Sequence, residues 1–378
     1  MSKTIKRKCP ACGELKEFRA DVKTCGCGGT NPFSGKSPKA ISPENAVDIE
    51  LQKLKDKREN KEGERKALIE RVAALESENA VFTSLQDAPP QITHIEPKVS
   101  SGRSESAMVI VWSDWHIEET VRPEQVGGKN EYSLEIAERR FRNLLHGGMS
   151  WFKINSAATT IKTVVLALIG DYISGSIHAD LAEGNSLPPA EAIYKAYSMI
   201  ASGIKFMLEN TPRDVQFIIP CHSGNHGRMT KEQRISTEAG NSLEYFMYLM
   251  LQDYFEKEKR IKFIVQAGYH SYISFFEGVY DARVHHGHQI NYQGGVGGIT
   301  IPVNKAIAQW NKARPVHLDI FGHFHTKFDG GNFISNGSMI GMSPYGVSVK
   351  ASYERACQQS FLVNREYGEK TAVNPIYL

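Results

Sequence analysis

What this chain lacks narrows its class first. No apolar run approaches the ~20 residues that a bilayer-spanning helix needs, so no membrane partner is expected. The basic opening, Met1 to Lys8, has no apolar core of the kind a signal peptide carries. Cysteine is scarce too: of six, four crowd into the first 27 residues, and Cys221 and Cys357 stand alone. A secreted disulfide framework would spread its pairs through the fold, so a reducing cytoplasm is the expected residence. An excess of one charge is also missing, with a net +3 over 378 residues. The 41% hydrophobic and 23% charged content is that of an ordinary soluble protein, long enough for one large domain and an appendage. The small total hides an asymmetry. Residues 1–40 carry +6, residues 41–104 carry −2, and the remainder carries −1. The amino-terminal charge suits a polyanionic partner, or serves solubility alone.

Three regions follow from composition: a small module over 1–40, a helical or coiled linker over 41–104, and a catalytic region over 105–378. In the first, Cys9-Pro-Ala-Cys12-Gly can present two thiolates to one tetrahedral ion, and Cys25-Gly-Cys27-Gly supplies two more. The one-residue gap between Cys25 and Cys27 is tighter than usual, but flanking glycine relieves the backbone. A segment this small needs a staple, and one structural zinc is expected on these four cysteines. The stretch resembles zinc ribbons, which often bind nucleic acid or protein. From Val47 to Phe82 the chain is free of proline and reads as a helix with an interrupted apolar seam. Self-association through residues 47–82, docking on a protein partner and a solvated independent helix are all compatible with that seam. Pro89, Pro90 and Pro97 mark a second linker.

The catalytic region opens on Met108-Val-Ile-Val-Trp-Ser-Asp114-Trp-His116, a β-branched run closed by a carboxylate and an imidazole two residues apart. In extended chain, residues i and i+2 face the same way, so Asp114 and His116 can converge on one ion beyond the strand. Four more strand-like runs end in similar chemistry. Ile161–Ile169 ends in Gly170-Asp171, and Val215–Pro220 leads to Gly224-Asn225-His226. Val279–Val284 leads to His285-His286-Gly287-His288, and 317–321 leads to Gly322-His323-Phe324-His325. Helices are expected over 133–146, 189–208, 231–259 and 303–312, with further strands over 261–266 and 271–276 and a β-rich tail. Strands and helices alternate early and strands dominate late, which predicts an α/β (α+β) chain with layered sheets and flanking helices.

The ordered set Asp-x-His, Gly-Asp, Gly-Asn-His, His-Gly-His and Gly-His-x-His resembles the calcineurin-like metallophosphoesterase superfamily over roughly 107–340. That resemblance implies a two-layered β-sandwich flanked by helices, with two divalent metal ions at the strand ends. It puts Asp114, His116 and His325 on one ion, Asn225, His286 and His323 on the other, and Asp171 between them. It makes His226 the catalytic residue that faces the phosphate and protonates the leaving oxygen. A carboxylate and imidazole set suits Mn, with Fe, Zn or Ni as alternatives. Two such ions can activate water and clamp a phosphoryl oxygen during in-line attack.

His285 and His288 flank an expected ligand and could steady it. His178, His222, His270 and His317 are read as ordinary core or surface residues, and Cys221 as a small buried one. Two departures matter. Relatives usually carry an acid after the Asn-His pair, where this chain has Gly227, which leaves the orientation of His226 open. The Asp-Arg-Gly element of protein Ser/Thr phosphatases is absent after Asp171, which argues against that substrate. The sequence resembles more closely the branch of DNA-repair exonucleases and phosphoesterases often encoded by phages. The expected activity is therefore a metal-dependent phosphodiesterase, a nuclease acting on DNA in a bacterial or phage-encoded setting. A nucleotide or cyclic-nucleotide phosphodiesterase is the alternative, and a non-catalytic nucleic-acid-binding module is the third reading.

Overall fold

The computed structural model describes residues 4–8, 15–19, 43–87, 104–177, 179–266, 268–292 and 298–378. The chain divides into two compact units, Met1–Pro97 and Lys98–Leu378. In the first, β1 (Thr4–Lys8) pairs antiparallel with β2 (Leu15–Arg19), and α1 is a long helix, Pro43–Asp87. Every side chain from Val47 to Ala80 is exposed. Cys9, Cys12, Cys25 and Cys27, on which a structural zinc was expected, lie outside the described residues, as do the two linkers for most of their length and His178.

The second unit runs β3 (Glu105–Trp112), α2 (Leu134–Ala158), β4 (Thr160–Leu168), α3 (Ala179–Gly184), α4 (Pro189–Glu209) and β5 (Gln216–Cys221). It continues through α5 (Leu243–Tyr254), β6 (Ile261–Val265), β7 (Ser271–Phe275), β8 (Tyr280–Val284) and α6 (Thr300–Ala313). Last come β9 (Leu318–Phe321), β10 (Phe328–Asp329), β11 (Phe333–Ser335), α7 (Pro344–Ser348), β12 (Cys357–Asn364) and β13 (Glu369–Tyr377). They form a six-stranded sheet ordered β13-β12-β3-β4-β5-β6 and a five-stranded sheet ordered β10-β11-β9-β8-β7.

Strand β3 shows why the layers stack as they do. Its side chains alternate between faces. Ala107, Val109 and Val111 join Ile273, Ala282, Val284, Leu318 and Ile320 of the smaller sheet in one apolar cluster. The two sheets therefore pack face to face. Met108, Ile110 and Trp112 point the other way, into a cluster with Phe141 and Leu144 of α2 and Ile200 and Ile204 of α4. A third cluster, including Val303 and Ile307, seats α6 against Phe321 and Phe333. The result is a mixed α/β sandwich of two sheets with helices outside, as expected.

Two helices depart from the expected bounds. Helix α2 does not stop near 146 but runs to Ala158. Its glycine pair is a packing feature: a Cβ on Gly147 would lie 2.5 Å from Ile376, so glycine lets β13 approach the helix. The expected helix over 231–259 begins only at Leu243, where the Ser242 hydroxyl accepts from the Glu244 and Tyr245 amides. The preceding segment is a closed loop. Met229 N–H donates to Asn241 O at 2.8 Å and Leu243 N–H to Gly227 O at 2.8 Å.

Candidate metal centre

The ends of β3, β4, β5, β8 and β9 bring the expected residues to one edge of the sandwich. Beyond β3 the backbone is stitched to the end of β4. Asp114 N–H donates to Gly170 O at 2.9 Å and Trp115 N–H to Asp171 O at 2.8 Å. Both turns are strained. Among the described residues nine non-glycine residues have positive φ, and five are Asp114, His116, Asp171, His323 and His325. Backbone held in that region costs free energy and persists where the surroundings dictate it, which concentrates strain at these positions.

Two clusters result. Asp114, His116 and His325 offer ligand atoms within 4.8 Å of one another, and so do Asp171, His286 and His323. Asn225 and His226 line the same cleft as His116, Asp171, His323 and His325, an opening of about 910 Å³. All eight positions named from the sequence thus gather in one place.

Hydrogen bonds decide what the imidazoles present. The Ser174 hydroxyl donates to Glu119 Oε2 at 3.0 Å, so its oxygen accepts from His116 Nδ1 at 3.0 Å. That leaves His116 Nε2 as a lone pair, 3.2 Å from Nε2 of His325. Likewise His286 Nδ1 donates to the Ile169 carbonyl at 2.7 Å, which turns Nε2 toward Asp171 Oδ2 at 3.0 Å. A lone pair facing a carboxylate at that distance needs a cation between them. Without metal a proton serves: burial alone would lower the His286 pKa, but the Asp171 carboxylate raises it to about 10. The carboxyl of Asp171, which burial alone would raise, is held well below its usual range by His286 and His226. Burial, with neighbouring His226 and His325, lowers His116; burial and His286 lower His323 to about 3. These two rings are neutral near pH 7, the state a metal ligand requires. Asn225 Oδ1 is buried without a hydrogen-bond partner, as a ligand oxygen would be. The donor set fits two divalent ions.

His226 is fixed at both ends. Its N–H donates to Asp171 Oδ1 at 2.9 Å and its Nδ1 to the Ser174 carbonyl at 3.0 Å. Its ring stands edge-on to His116, with centroids 4.9 Å apart. The absence of an acid at 227 therefore leaves the ring held by the backbone of 174.

The flanking histidines separate. His285, one residue from His286 in extended chain, points to the opposite face. There it lies 3.4 Å from Asp319 Oδ1 and stacks on Phe321. His288 stays beside the second cluster, 5.5 Å from the His286 ring, and meets Glu238 at 2.7 Å. His222, His270 and His317 contact backbone or aromatic neighbours. Cys221 is buried, and burial raises its thiol pKa well above the ordinary value.

Three carboxylates beside the site were not singled out in the sequence. Glu119 steadies His116 through Ser174. Glu118 accepts from the Ser174 and Gly175 amides at 2.8 and 2.9 Å, and burial raises it to about 7. Glu244 accepts from Tyr172 N–H and Gly224 N–H, both at 2.7 Å. The adjacent Glu118-Glu119 pair after His116 was a usable signal; Glu244, twenty residues or more from its partners, gave none.

No protein-family model matches the chain, and no curated protein does. Among solved structures it is similar to a single-mutant Vps29 from Entamoeba histolytica, 14% identical, over 72% of this chain and 99% of that one, with a TM-score of 0.27. It is also similar to the sulfate thiohydrolase SoxB of Thermus thermophilus in complex with glycerol, 9% identical, over 76% of this chain and 58% of that one, with a TM-score of 0.29. Likenesses this distant assign no chemistry; the two clusters must carry it. No helix among the described residues is long and apolar enough to cross a membrane.

Proposed function

We propose that this chain is a dinuclear-metal-dependent phosphoester hydrolase, acting on phosphodiesters. The observation that carries the reading is the pair of clusters facing one cleft, with imidazole lone pairs beside two carboxylates and the Asn225 amide oxygen buried without a hydrogen-bond partner. Asp114, His116 and His325 would hold one ion, and His286, His323 and Asn225 the other, with Asp171 shared. Bound divalent ions would supply Lewis acidity to a phosphoryl oxygen and lower the pKa of water. The chain does the rest. Ser174 and Ile169 fix the tautomers of His116 and His286. The carbonyl of Ser174 orients His226 so that its other nitrogen can deliver a proton to a leaving oxygen.

A DNA-directed form, a nuclease, draws its support from the basic residues 1–40. The cleft itself favours a compact substrate. Its lining includes Leu181, Phe324, Met342, Tyr345 and Val349, with Asp180 and Glu354, and no Lys or Arg among the described residues. A long polyanion would find no countercharge there. That lining favours the second reading, a nucleotide or cyclic-nucleotide phosphodiesterase. The test is the purified protein with Mn²⁺ against single- and double-stranded DNA, RNA, cyclic nucleotides, bis(p-nitrophenyl) phosphate and phosphomonoesters. Turnover of diesters supports the proposal and its substrate ranking chooses the form. No turnover of any phosphoester contradicts it.

A further inference from the structure

Helix α1 leaves an apolar seam with no partner. Val47, Leu51 and Leu54 near one end and Leu68, Val72 and Leu75 further on fall on one line of alternating three- and four-residue steps. All six are exposed, at 46–66%. Such a seam is the inner edge of a two-stranded coiled coil. The flanking charges identify the second strand. In a parallel pair, the residue just before each of the inner positions 51, 58, 65, 72 and 79 reaches the residue five further along the other helix. Glu50 then meets Lys55, Lys57 meets Glu62, and Arg71 meets Glu76; Glu64 with Ile69 and Glu78 with Thr83 are neutral. Of these five flanking pairs three attract and none repels, and antiparallel pairing forfeits them.

We propose that α1 pairs with α1 of a second copy of this chain as a parallel, in-register coiled coil. Val72 and Leu75 alternate β-branched and Leu positions as a dimer prefers, and Asn79 on the seam specifies register. Arg58, Lys61 and Arg65 interrupt the seam and would face their own copies in register; long basic stems can lie along an apolar seam with their charged heads in water, and Glu62 and Glu64 adjoin them in sequence. Sedimentation equilibrium of the full chain should give twice the monomer mass. Leu68→Lys with Leu75→Lys should give the monomer mass, with the circular dichroism of the remaining fold retained. Oxidised Asn79→Cys should yield a 79–79 cross-linked peptide by mass spectrometry. A monomeric wild type, a dimer indifferent to the two lysines, or a dimer without the 79–79 link overturns the proposal.

Glu244, at the start of α5, is fully buried. Its carboxylate joins the two loops that carry Asp171 and Asn225, through the amides of Tyr172 and Gly224. A Cβ on Gly227 would lie 2.7 Å from Glu244 Cγ and 3.1 Å from its Cδ, so glycine at 227 makes room for this carboxylate. Gly227 has no positive φ, so its backbone tolerates a side chain.

We infer that Glu244 is a positioning residue that sets the spacing of the two ligand loops from helix α5. The inference rests on the metal-site reading for its affinity readout and on the phosphoesterase reading for its activity readout. Mn²⁺ affinity by calorimetry is the first readout, and kcat on an aryl phosphodiester the second. Glu244→Ala should weaken Mn²⁺ binding about 10–100-fold, the range for residues that orient ligands. Gly227→Asp in that background returns a carboxylate to the same space and should restore most of the affinity; Gly227→Asp alone should damage it. Wild-type affinity in Glu244→Ala, or no gain in the double variant, overturns the inference. If the wild type binds Mn²⁺ but hydrolyses no ester, the functional reading fails while the affinity series still decides Glu244.

Discussion

Two buried polar clusters lie on either side of strand β8's end, and they are built from the same residue types. On one side His286 faces Asp171 at 3.0 Å; on the other His285 faces Asp319 at 3.4 Å. The difference is who supplies the cation. Arg283, fully buried, donates to both oxygens of Asp319 at 2.7 and 3.0 Å and also reaches Asn311, so that cluster is neutralised from within. Among the described residues no guanidinium or ammonium pairs with Asp171 or Asp114: their ion-pair partners are the imidazoles of His286 and His325, and the other nitrogen of His286 is committed to Ile169. Buried acids left without a covalently tethered cation call for an external one. Histidine beside aspartate is therefore not the signature of a metal site; the missing arginine is.

Breaking the metal side should have the largest effect. Asp171→Asn is expected to abolish hydrolysis and lower bound metal, because a neutral amide bridges two cations poorly; two retained ions with near-normal turnover would remove the assigned bridge. Next comes His226→Ala. A strongly basic alkoxide leaving group should lose about 10²–10⁴-fold, and an aryl diester much less, with metal content unchanged. Equal slowing with lost metal would make His226 a ligand.

The structural side should respond in stability. Arg283→Met leaves Asp319 buried without its partner and should cost about 3–5 kcal/mol in denaturant unfolding, with metal stoichiometry of the folded protein unchanged. A change in stoichiometry would erase the contrast between the clusters. The smallest effect is expected from Glu119→Gln, which weakens the Ser174 link to His116: about tenfold in metal affinity, at the low end for such supports. An unchanged affinity would take Glu119 out of the site.

The strand ends were legible because each β-branched run stops at a ligand type, as at Trp112 before Asp114 or Val284 before His286. Period-two alternation then separates His286 from His285, which local sequence placed together. What was not legible depends on distant partners. Glu244 serves Tyr172 and Gly224 across the fold. The start of α5 is fixed by backbone bonds from Met229 and Leu243 that close a loop, not by the periodicity that continues upstream. The length of α2 was misread because Gly147 answers to Ile376, more than two hundred residues away.

The most direct test is anomalous diffraction from a crystal of this protein grown with Mn²⁺. Two peaks are predicted, one among Asp114, His116 and His325, the other among His286, His323 and Asn225, with Asp171 touching both and none beside Asp319. No peak in the cleft, or a peak at the Arg283 and Asp319 cluster, would contradict the account.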